Sequence, residues 1–216
     1  MIDHYKHLCS ADIVSHEMQI IKSIISKDTS LIIVIPPYLN SQQLSLFLGI
    51  ANELNIKIIG FLEAAVAATR REYETAKLVH IELHLHCLSV SLMNQNGKSS
   101  INESFIINDC GQAAFNSCWI KMISRAFIKQ CRFDPLHAAE SDQQLINNLS
   151  LWVAQAVTND CVHLEIEYGN QSYETDIQSS DFIDAVMPLY KSLFNKLRSI
   201  FPVSYTHLTL PTTPYV

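Results

Sequence analysis

Glycine is scarce in this chain, five in 216 residues. Loops that cradle phosphates or present a nucleophile on a sharp turn depend on glycine where the backbone must approach a ligand closely. No Gly-x-Gly-x-x-Gly, Gly-x-x-x-x-Gly-Lys or Gly-x-Ser-x-Gly occurs. Basic residues are also few, with 15 Lys and Arg against 21 Asp and Glu and a formal net charge of −6. Without a basic run, or a basic patch interleaved with aromatics, the chain has no footprint for neutralising nucleic-acid phosphates, so nucleic acid is not an expected partner. No apolar run approaches the ~20 residues of a membrane helix, and Met1-Ile2-Asp3-His4 does not begin a signal peptide. No membrane partner is expected, and the expected location is cytoplasmic. The six cysteines (Cys9, Cys87, Cys110, Cys118, Cys131, Cys161) have no short paired spacing, which points to reduced core thiols in place of a disulfide framework. His4, His7 and Cys9 are metal-binding residue types, but they lack the Cys-x-x-Cys or paired-His spacing of structural zinc sites and read as a surface segment.

What is present is apolar and periodic. Hydrophobic residues make up 48% of the chain and charged ones 17%, a balance that suits a core-rich globular protein of one large or two small domains. Leu31–Ile35 is a continuous β-branched run closed by Pro36-Pro37, the pattern of a strand buried on both faces. Asn40 can cap the next helix with Gln43 as its reciprocal partner, and Leu44, Phe47, Leu48 and Ala51 form its apolar face. Asn55 ends that helix. Ile56–Phe61 is a second strand, Glu63–Ala68 starts a small-residue helix, and Leu78–Met93 alternates into a third and a fourth strand. Such alternation of strand and helix is the signature of an α/β layer. Before it, Met18, Ile21, Ile24 and Ile25 predict a helix from about His16 to Lys27.

After Met93, Asn94-Gln95-Asn96-Gly97 reads as a hairpin turn into a strand over Ser99–Ile107. Gly111 opens a helix whose buried face is Phe115, Cys118, Trp119, Met122, Ile123 and Phe127, with Lys121, Arg125 and Lys129 on the solvated side. Arg132-Phe133-Asp134-Pro135 breaks it. A helix from about Ser141 to Thr158 turns Leu145, Leu149, Trp152, Val153 and Ala156 inward, and the Trp119 and Trp152 stripes read as core. Val162–Tyr168 and Ser172–Ile177 form a hairpin about Gly169-Asn170. Ser180 or Asp181 caps a last helix striped by Phe182, Val186, Leu189, Leu193, Leu197 and Ile200.

Three of these segments resemble the ATPase domain of the seventy-kilodalton heat-shock chaperones, in the actin-like superfamily. Ile33-Val34-Ile35-Pro36-Pro37-Tyr38-Leu39-Asn40-Ser41-Gln42-Gln43 is similar to that family's V-P-A-Y-F-N-D-x-Q-R segment. Glu63–Ala68 is similar to its E-P-T-A-A-A, at the same distance downstream, and His80–Ser91 falls where it carries the second phosphate motif, D-L-G-G-G-T-x-D-V-S. Ser179–Asp184 loosely echoes T-R-x-x-F-E. The resemblance spans Leu31 to Phe201 and is densest in its first third. It implies a ribonuclease-H-like α/β sheet flanked by helices, with a helical and β-hairpin insertion subdomain, in the second lobe of a two-lobed fold. The implied boundaries are 1–30 for an N-terminal segment and helix, 31–110 for the α/β core and 111–201 for the helical and hairpin subdomain. Val203–Val216, with Pro202 at the junction, reads as a translated sequencing adapter. The expectation is therefore a gene fragment, with Met1 as an internal start.

The resemblance implies ATP and magnesium as cofactors and a catalytic role for Glu63, which stands where the family places the glutamate that positions magnesium and attacking water. The second phosphate motif is changed. Glu82 takes its first acidic place, His84, Leu85 and His86 replace glycines, Cys87 replaces threonine and Ser89 replaces the second aspartate. Bulky residues there close off backbone approach to phosphate, and Glu63 then reads more readily as an acid favoured at a helix N-terminus than as a catalytic group. Three functions follow as expectations. The first is a divergent ATPase-domain protein with weak or absent hydrolysis and a nucleotide-sensing or scaffolding role, partnered by the first lobe or another protein. The second is an interaction module that works without nucleotide. The third is a metal-dependent enzyme, since His80, Glu82, His84 and His86 alternate onto one face if the strand runs through them.

Overall fold

The computed structural model describes residues 9–26, 29–69, 71–73, 77–95 and 97–200. The expected adapter at 202–216, the His4 and His7 segment, Lys27 and Asn96 of the expected turn lie outside the described residues; the first helix, expected to run to Lys27, ends at Ile24. The order is α1 (Ser10–Ile24), β1 (Ser30–Ile35), α2 (Ser41–Glu53), β2 (Lys57–Glu63), α3 (Ala64–Ala68), β3 (Leu78–Leu83), β4 (Cys87–Asn94), β5 (Ser100–Asn108), α4 (Gln112–Cys131), α5 (Ala139–Thr158), β6 (Cys161–Tyr168), β7 (Gln171–Gln178) and α6 (Ser179–Ile200). The protein is mixed α/β. Among the described residues its strands form three small sheets, ordered β1-β2, β3-β4-β5 and β6-β7. No described helix is long and apolar enough to cross a membrane.

The chain divides into two compact units. The first comprises residues through Glu82 together with Ser89–Ile106. In it β1 and β2 run parallel, joined by α2, with Ile33 opposite Phe61, Ile35 opposite Glu63 and a register shift between Leu31 and Ile32. The expected reciprocal cap opens α2: the Gln43 N–H donates to Asn40 Oδ1 at 3.0 Å and the Asn40 N–H to Gln43 Oε1 at 2.9 Å. Asn55 follows it with a left-handed φ of 54°. Helix α1 begins at Ser10, six residues before the expected start, because Asp12 accepts the Cys9 N–H at 2.8 Å and closes a cap there. Ala11, Val14 and Met18 then continue a helical stripe that packs on Ile50, Ala51 and Ile56. Ile24, expected inward, is exposed.

Helices α1 and α2 cover one face of the β1-β2 pair, and this changes the expectation for β1. Leu31 packs against the helices, but Ile32 and Val34 are 60% and 53% exposed and Ile59 on β2 is 61% exposed. A run of apolar residues carries no face information, and here α1 and α2 pack on the Leu31 and Ile58 side while Ile32, Val34 and Ile59 are exposed. In the second sheet β4 is central, with Leu88, Ser89, Val90, Ser91 and Met93 all buried.

The second unit comprises Leu83–Leu88 and residues from Ile107 onward. Here α4, α5 and α6 pack on the inner face of the antiparallel β6-β7 hairpin around Ile123, Phe127, Leu145, Trp152, Leu164 and Ile166. Gly169 and Asn170, with φ of 60° and 61°, form the two-residue turn, and positive φ at both central positions suits the twist of the paired strands. Val162, Leu164 and Ile166 point inward from β6 in strict alternation. Arg132 closes α4 in a left-handed conformation, φ 58°, and α6 runs through Pro188.

Candidate functional site

The residues where the resemblance puts phosphate chemistry lie at the end of β3, in the turn after it and in β4. Strand β3 stops at Leu83. Up to that point the expected alternation holds: His80 and Glu82 share a half-buried face, His80 Nε2 standing 3.7 Å from Glu82 Oε2, while Ile81 and Leu83 are exposed on the other. Beyond Leu83 it fails. Residues 84–86 form a turn in which the His84 N–H donates to the Cys87 carbonyl at 2.9 Å, and His86 is exposed. The four-residue metal face expected from His80, Glu82, His84 and His86 therefore does not form as one strand face. Among the described residues no group of three or more His, Cys, Asp or Glu side chains is placed to hold a metal ion.

What the turn does instead is grip a helix. The Gln112 N–H donates to the His84 carbonyl and the Ala113 N–H to the Leu85 carbonyl, each at 2.9 Å. These are first-turn amides of α4, donors that have no partner within the helix and that make helix N-termini ready anion sites. Here the chain's own carbonyls take them. Gly111, the N-cap, permits the approach: a Cβ at that position would stand 2.4 Å from His86 C, 2.5 Å from Cys87 N and 2.6 Å from Leu85 O. The glycine that this contact needs is thus on the helix side, and the turn itself carries three side chains.

The remaining expected site residues scatter in character. Leu85 is 58% exposed, Cys87 is half-buried at the start of β4, and Ser89 is 1% exposed inside the sheet. Glu63 is exposed at the end of β2, where it is the N-cap of the five-residue α3 and makes no side-chain cap bond. His84, Leu85, His86 and Cys87 belong to the second unit, and Glu63, His80, Glu82 and Ser89 to the first.

One constellation was absent from the sequence reading. On the outer face of the β6-β7 hairpin His163 Nδ1 lies 2.9 Å from Asp176 Oδ1 and Nε2 lies 3.8 Å from Glu174 Oε2. The hydrogen bond to Asp176, with help from the charges of Asp176, Glu174 and Glu165, raises the His163 pKa above its ordinary value. The signal was available: a two-residue turn at Gly169-Asn170 fixes the register, and the register sets His163 opposite Asp176 and Glu165 opposite Glu174. No protein-family model matches this chain, and no curated protein matches it.

Proposed function

We propose that the chain is the second lobe of a divergent actin-like, heat-shock-70-like ATPase domain that serves as a scaffolding module, with weak or absent ATP hydrolysis. The order of elements supports the fold reading: a parallel β-α-β unit, a three-stranded sheet, two long helices, a hairpin and a closing helix follow in the order that the resemblance implies. One observation carries the functional reading. The turn at 84–86 spends the carbonyls of His84 and Leu85 on the first amides of α4, so the helix N-terminus that could hold an anion is already satisfied. Glu63, Glu82 and Ser89 then have structural work to do at a strand end, on a strand face and inside a sheet. The partner in this reading is a protein, either the complementary lobe of the fold or another chain.

The test is a thermal melt of the protein with Mg·ATP and with Mg·ADP. Ligand at about 100 times its dissociation constant adds about 2.7 kcal/mol of stability, which raises the melting temperature by roughly 5–10 °C in a domain of this size. The expected result is no shift at millimolar nucleotide. A shift of that size, lost in Glu63→Ala, would overturn the scaffolding reading in favour of a working nucleotide site.

A further inference from the structure

The hairpin in the second unit guards its edges unequally. Gln130 of α4 uses its side-chain amide as a peptide group would: its Nε2 donates to the Asp176 carbonyl at 3.0 Å, and its Oε1 accepts the Asp176 N–H at 3.3 Å. Cys131 Sγ donates to the Glu174 carbonyl at 2.7 Å. The outward carbonyls of Glu174 and Asp176 and the Asp176 N–H on β7 are therefore occupied. On the other edge Gln144 of α5 treats Glu167 in the same way, donating to its carbonyl at 2.8 Å and accepting its N–H at 3.1 Å. Outward-facing groups recur at every second residue of an antiparallel pair, so those of Glu165 and His163 lie on the same edge as those of Glu167. Among the described residues nothing donates to or accepts from them, and Cys161, His163 and Glu165 are exposed.

An open strand edge is a template for another strand. Its surroundings state the chemistry of that strand. Residues 133–190 contain no lysine or arginine and ten acidic residues, of which Glu165, Glu167, Glu174 and Asp176 stand on the exposed side of the hairpin. Glu165 and Glu174 are directly opposed across the strands, a like-charge pairing that costs stability; the Ser172 hydroxyl donates to Glu165 and the His163 ring lies beside Glu174, and a lysine or arginine on an added strand would neutralise the pair further.

We propose that the β6 edge from Cys161 to Glu165 is a docking site for an extended basic segment of a partner protein, added as a third strand whose lysine or arginine side chains lie over Glu165 and Glu167. Main-chain hydrogen bonds to His163 and Glu165 provide the attachment, and the acidic face provides the selection. The inference rests on the scaffolding reading for its purpose, yet the two fail separately: a nucleotide-driven thermal shift would overturn that reading and leave this edge untouched.

The probe is a fluorescein-labelled octapeptide alternating lysine with threonine and valine, titrated with the full chain and followed by anisotropy. Two control peptides replace lysine by glutamate or methylate every second backbone nitrogen. Saturable binding of the lysine peptide is expected, weakening with salt, with at least tenfold loss for each control and at least fivefold loss in the folded Glu165→Lys variant. Equal affinity for the glutamate or the methylated peptide, or no saturation at millimolar concentration, would overturn the proposal. Concentration-dependent dimerisation of the peptide-free protein, abolished by Glu165→Lys, would also overturn it, by giving the edge to a second copy of the chain.

Discussion

Gly111 and Cys87 meet backbone to backbone: a Cβ on the glycine would stand 2.5 Å from the Cys87 nitrogen. Neither side of that contact can swing aside as the end of a flexible side chain would. Gly111→Ala is therefore expected at or beyond the upper end of the usual overpacking penalty of about 1–3 kcal/mol, read as a lower urea midpoint. Leu85→Ala and His86→Ala, changes to exposed side chains of the same turn, are expected within about 0.5 kcal/mol of the parent. Equal effects at the three positions would show that the turn is held by its side chains.

The glutamine clamps give a second expectation. Gln144→Ala removes two hydrogen bonds to Glu167, and at about 0.5–1.5 kcal/mol each, with water as a ready substitute at an exposed edge, the loss is about 1 kcal/mol. Its larger effect is on association, because the open edge of β6 grows by one more pair of backbone groups. Faster thioflavin-positive aggregation of Gln144→Ala than of Gln143→Ala, whose side chain bonds to Asn147 on the same helix, is the expected outcome.

The His163 pair gives a pH dependence with a definite sign. Its folded pKa is raised above the ordinary 6.5, first through the hydrogen bond to Asp176. The stabilisation from protonated His163 is then fully present below the unfolded value and disappears as the pH rises through the folded one. A proton-NMR titration of the imidazole should show the raised value, and Asp176→Asn should bring it back toward the ordinary range. An unchanged titration in that variant would place the cause elsewhere.

Core and surface positions of equal hydrophobicity should separate cleanly. Phe127 is fully buried, and Phe127→Ala is expected to cost about 3–5 kcal/mol by leaving a cavity. Ile32→Thr and Val34→Thr, on the uncovered side of β1, are expected within about 0.5 kcal/mol. Chemical denaturation of the three variants decides it, and a large loss at Ile32 would mean that this face is covered in solution.

Much of the second unit was legible because its periodicities are unbroken. The alternation of β6, the Gly169-Asn170 turn and the stripe through Phe115, Ile123 and Phe127 each correspond to what is observed. The misses have physical causes. Cys9 is not a usual cap residue, so the early start of α1 left no mark in the sequence. Five apolar residues in succession at Leu31–Ile35 say nothing about which face lacks a cover. At His84-Leu85-His86 no glycine, proline or asparagine marks the turn, so the alternation of histidines continued on paper past the point where the strand ends. Gln130 and Gln144 belong to no motif, since what they recognise is backbone.

The grip of the turn at 84–86 on α4 also bears on how such a segment can drift. Both of its bonds to the helix run through carbonyl oxygens of His84 and Leu85, groups that every amino acid carries. At the exposed Leu85 folding therefore constrains the backbone more than the side chain, whereas Gly111 admits no Cβ. A loop anchored through its main chain can exchange one exposed side chain for another without loss of architecture.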